Sequence, residues 1–125
     1  MRQCPRPLQQ KLEPDTYAHD KLVYVRVSLP RGDAPIEHVT HVPLPLMFRL
    51  YHLGRAYDLP RIAAMHPRGS FYVDFISLQT LLLELQLLTS VISDPALLPH
   101  IEALAGMIEL TAGDSGATMF VKVPS

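Results

Sequence analysis

Residues 77–100 read SLQTLLLELQLLTSVISDPALLPH, and within Leu78–Ile92 nine large aliphatic side chains stand beside a single charge, Glu84. Placed about 100° apart around a helix axis, Leu78, Leu81, Leu82, Leu85, Leu88 and Ile92 form one broad apolar stripe. Leu83, Leu87 and Val91 form a second, on nearly the opposite side. A helix with two apolar faces is covered on two sides. One side is expected to lie on a sheet. The other needs a following helix, the first helix through Phe48 and Tyr51, or a second copy of the chain. Ser77 is the expected N-cap. The segment falls short of the roughly 20 apolar residues a bilayer crossing needs.

Upstream, KLVYVRVSLP alternates Val23, Val25, Val27 and Leu29 with Tyr24, Arg26 and Ser28, so Lys21–Leu29 reads as a strand ended by Pro30 and the Arg31-Gly32-Asp33 turn. EHVTHVP reads as a connection. From there Leu46, Leu50, Leu53 and Tyr57 mark one helix face over Leu46–Tyr57, stopped by Pro60. RIAAMHPRGSFYVDF reads as a hairpin turning at His66–Ser70, with Phe71–Phe75 as its second arm. Ser93-Asp94-Pro95 restarts a helix over Ala96–Leu110, ended by Gly113, and ATMFVKV closes the chain as a strand over Ala117–Val123.

The expected class is therefore α+β: a small antiparallel or mixed sheet of about four strands covered by helices, in the order β-α-β-β-α-α-β. The 125 residues divide into a polar, proline-containing tail over 1–20 and a single domain over 21–125.

Charged residues make up 18% of the chain and its net charge is −1. The eight arginines are scattered, against three lysines, so the expected partners include neither nucleic acid nor a membrane surface. So little charge covers surface poorly and favours association. An arginine excess of this kind suits a GC-rich bacterial source. With one cysteine, Cys4, and no apolar leader in MRQCPRPLQQKLEPD, a reducing compartment, the cytoplasm, is expected.

Candidate chemistry is sparse. His38 and His41 stand three apart in EHVTH, but a zinc protease needs HExxH on a helix, with the glutamate inside the pair. One cysteine and dispersed histidines do not make a zinc site, so no metal and no cofactor is expected. Isolated glycines exclude a phosphate loop, and no G-x-S-x-G elbow occurs. The expected function is a non-catalytic protein–protein interaction module, self-associating as a homodimer or binding a partner protein, an immunity or adaptor-like accessory protein being one instance. Its candidate interface is Leu83, Leu87 and Val91 with Phe48 and Tyr51. The alternative is a small enzyme or ligand-binding protein using His38, His41, His66, Arg68 and Asp74 around the hairpin.

Overall fold

The computed structural model describes residues 21–29, 36–111 and 116–124. The tail expected over 1–20 and the helix stop at Gly113 lie outside the described residues. The chain runs β1 (Leu22–Leu29), β2 (Ile36–Pro43), α1 (Leu44–Ala56), α2 (Pro60–Ala63), β3 (Phe71–Val73), α3 (Phe75–Val91), α4 (Leu98–Glu109) and β4 (Thr118–Lys122). The four strands form one antiparallel sheet in the order β2-β1-β4-β3, and the class is α+β.

Alternation decides which face of the sheet is buried. Val23, Val25, Val27 and Leu29 of β1, Val42 of β2 and Met119 and Val121 of β4 face the helices and are buried. The other face carries Tyr24, Arg26 and Ser28, with Thr118, Phe120 and Lys122 of β4. There the register sets Tyr72, Phe120, Arg26 and Val39 in one row across all four strands. Tyr72 stacks on Phe120 at 4.7 Å between centroids, and the Arg26 guanidinium lies 5.3 Å from the Phe120 centroid on its way to Glu37, 3.8 Å distant.

Two elements differ from the expected order. EHVTHVP is a strand, not a connection, with Ile36 to Pro43 paired along β1. Its apolar residues Ile36, Val39 and Val42 are spaced by three, because on this edge strand the helix-facing positions include the half-buried His38 and Thr40. A period of two was therefore hidden. The first hairpin arm is also absent. Residues 60–63 form α2, and β3 pairs with β4 instead of with them. The order is thus β-β-α-α-β-α-α-β.

The remaining boundaries follow local chemistry. Helix α1 ends before Pro60 in a Schellman motif: the N–H of Leu59 donates to the carbonyl of Gly54 at 2.7 Å and that of Asp58 to Arg55 at 3.4 Å. Asp58 takes the left-handed conformation (φ 56°) that such an ending requires. Leu59 is extended, as a residue before proline prefers. At α3 the N-cap is Asp74 and not Ser77. Asp74 Oδ1 accepts from the N–H of Ser77 at 2.8 Å, which starts the helix three residues early and stops β3 after Val73. At the second restart the helix begins at Leu98, not at Ala96, and its N-cap Leu97 makes no side-chain bond. Asp94 instead closes the turn ahead of it, its Oδ1 accepting from the N–H of Ala96 and of Leu97 at 3.1 and 3.2 Å. Its Oδ2 meets Arg49 Nη1 of α1 at 2.6 Å, which ties α1 to the α3–α4 link.

Helix α3 buries Leu78, Leu81, Leu85 and Leu88, part of the stripe read from the sequence, and packs on α4, α2 and β4. Half-buried His100 on α4 has its pKa lowered by burial, which disfavours the charged ring. A depressed histidine pKa means that the unfolded chain binds more protons. Its stabilising contribution is thus whole above the ordinary value near 6.5 and falls as pH drops below it. Urea midpoints of the wild type and of His100→Gln should diverge between neutral and mildly acid pH, the variant losing less on acidification. Parallel pH profiles would show that His100 is as solvated as in the unfolded chain.

Candidate interaction surface

The second stripe of α3 is open. Ile76 is 77% exposed, Leu83 66%, Leu87 46% and Val91 47%. Ile76, Thr80, Leu83 and Leu87 are spaced by four, three and four, the spacing of a seam between two packed helices, and Val91 continues the row one turn on. Ile76 to Val91 spans about 22 Å along the axis at 1.5 Å per residue. Glu84 is the one charged residue of α3, and it is buried. The outer face of this helix therefore presents apolar, Thr, Ser and Gln side chains and no charge.

Phe48 and Tyr51 do not supply cover for this row. Both are half-buried on α1 and pack edge-on against the ring of His66, at 5.6 and 4.5 Å between centroids. The candidate interface residues thus divide into an exposed row on α3 and an aromatic clasp around His66.

The alternative site residues are dispersed among different tasks. His41 packs its ring edge against Tyr24 at 5.7 Å on the sheet face turned away from the helices, while His38, three residues away, has the opposite parity on β2 and points to the helix side. His66 lies between Phe48 and Tyr51, its Nδ1 buried without a hydrogen-bond partner among the described residues. Arg68 is exposed in the turn. Asp74 caps α3, and its pKa is lowered by its bonds to Ser77, with a smaller contribution from Arg61. Among the described residues no three His, Cys, Asp or Glu side chains gather as a metal group would, and no helix is long and apolar enough to cross a membrane.

Sequence reasoning missed two features here. Glu84 holds α2: its Oε1 accepts from the N–H of Ile62 at 2.8 Å and its Oε2 from that of Arg61 at 3.1 Å. A helix of four residues cannot sustain itself, and a carboxylate on its first N–H groups offsets the cost of ordering it. The signal was a lone charge four residues before Leu88, beside the buried stripe. The second feature is a cleft of about 220 Å³ between α2, β3 and the start of α3, bordered by Arg61, Met65, Phe71, Asp74 and Leu81. No known protein family, curated protein or solved structure matches the chain.

Proposed function

We propose that the chain is a non-catalytic interaction module that associates with a second copy of itself through the outer face of α3. The observation that carries this reading is the exposed, uncharged row Ile76, Leu83, Leu87 and Val91. Soluble chains seldom leave such a row in water, and covering each large side chain is worth roughly 1.5–3 kcal/mol before the costs of association. A second copy suits the row better than a charged partner. The face offers no ion-pair donor or acceptor, two identical uncharged faces do not repel, and the chain carries a net charge of only −1. The cytoplasm suits a chain with one cysteine, and an adaptor or immunity-type accessory protein would use such a surface.

Light scattering over a concentration series tests the reading. The wild type should run as a dimer at micromolar concentration. Leu87→Glu should be a folded monomer whose stability lies within about 0.5 kcal/mol of that of the wild type diluted to its monomeric state, since an exposed position tolerates a charge. A wild type that stays monomeric at high micromolar concentration ends the proposal.

A further inference from the structure

We infer that the cleft between α2, β3 and α3 is a binding site for a small zwitterion of the α-amino-acid class, with Arg61 meeting the carboxylate, Asp74 the ammonium, and Met65, Phe71 and Leu81 the apolar side chain.

The volume, about 220 Å³, lies below the roughly 300–1,000 Å³ of drug-sized pockets and above the roughly 150 Å³ that suffices for a benzene-sized guest. It suits a molecule the size of one amino acid. Its floor is apolar, Met65 and Leu81 being buried and Phe71 half-buried. Its rim holds one cation and one anion. Arg61 and Asp74 feel each other's field, yet they form no ion pair among the described residues. Two opposite charges beside an apolar floor match a ligand bearing both charges and a greasy side chain. Both side chains start from fixed points of the backbone. The backbone of Arg61 is fixed by Glu84, and Asp74 is fixed by its Oδ1 bond to Ser77. A guanidinium can grip a carboxylate with two parallel bonds, and a carboxylate that already accepts from a cap keeps lone pairs for an ammonium.

Leucine is the probe, with 4-methylpentanoate and isoamylamine as partners that each lack one of its charges. By titration calorimetry and thermal shift, leucine is expected to saturate with a Kd of about 1 mM. Each single-charge analogue should bind at least about tenfold more weakly, having lost one charge-assisted contact. Arg61→Gln and Asp74→Asn should each weaken leucine by about tenfold or more. Asparagine remains a good N-cap and Arg61→Gln keeps the backbone bond to Glu84, so both variants should melt near the wild type without ligand. No saturable leucine binding, an analogue that matches leucine, or binding indifferent to both substitutions would each overturn the assignment. The site does not depend on self-association, and Leu87→Glu should bind leucine as the wild type does.

Discussion

Glu84→Ala is expected to lower the stability of the fold by about 2–4 kcal/mol in urea denaturation. The carboxylate sits buried and receives two backbone N–H groups, those of Arg61 and Ile62. Removing it leaves the buried N–H of Ile62 with neither protein partner nor ready access to water, at roughly 1–3 kcal/mol, while the half-buried N–H of exposed Arg61 falls back on solvent. It also opens a void beside the start of α2. Glu84→Gln separates the two effects. It keeps the volume and one acceptor oxygen but turns an amide donor toward a backbone donor, so about 1–2 kcal/mol should be lost. Glu84→Leu gives the sharper contrast. It adds apolar surface on a stripe of leucines, yet should remain less stable than the wild type because the buried N–H of Ile62 stays unpaired. If Glu84→Leu matched or exceeded the wild type, water would be serving α2 and the carboxylate would not be holding it.

That contact also shows where the sequence could be read and where it could not. Strands β1 and β4 were legible because each puts valine or methionine on alternate positions and buries one face. Helix α3 was legible because its leucines recur at helical spacing. Strand β2 was not, since at the sheet edge His38 and Thr40 occupy half-buried inward positions and the apolar residues fall three apart. Helix α2 was not, because what stabilises it is a side chain more than twenty residues further on. Local propensity carries no record of such a contact. Of the candidate surface, the apolar row on α3 was visible as a second stripe. Its exposure was not, since periodicity says that a face is apolar and nothing about what covers it. The histidines show the converse. Their closeness in sequence suggested a cluster, but strand parity sends His38 and His41 to opposite faces and an aromatic clasp holds His66 apart.

Gly54→Ala should reverse the usual sign of a glycine-to-alanine change in a helix. At an open helical position the substitution stabilises by up to about 1 kcal/mol, and Gly106 of α4, where an added methyl group would meet nothing within 4 Å, supplies that control. At Gly54 the added Cβ would stand 2.6 Å from Ile62 Cγ2 and 2.7 Å from the backbone nitrogen of Ala63. Because α1 and α2 meet backbone to backbone there, rotation of a side chain cannot relieve the crowding. The expected loss is about 1–3 kcal/mol, the range for overpacking a filled core, and Gly54→Val should lose more. The neighbour that must yield is α2, the element Glu84 holds in place. Once Glu84→Ala has released it, α2 can move away from the new methyl group. The double variant should therefore be less destabilised than the sum of the two singles, by about 0.5 kcal/mol or more. Strict additivity would mean that the clash is absorbed within α1, and a stabilised Gly54→Ala would mean that the two helices do not approach so closely in solution.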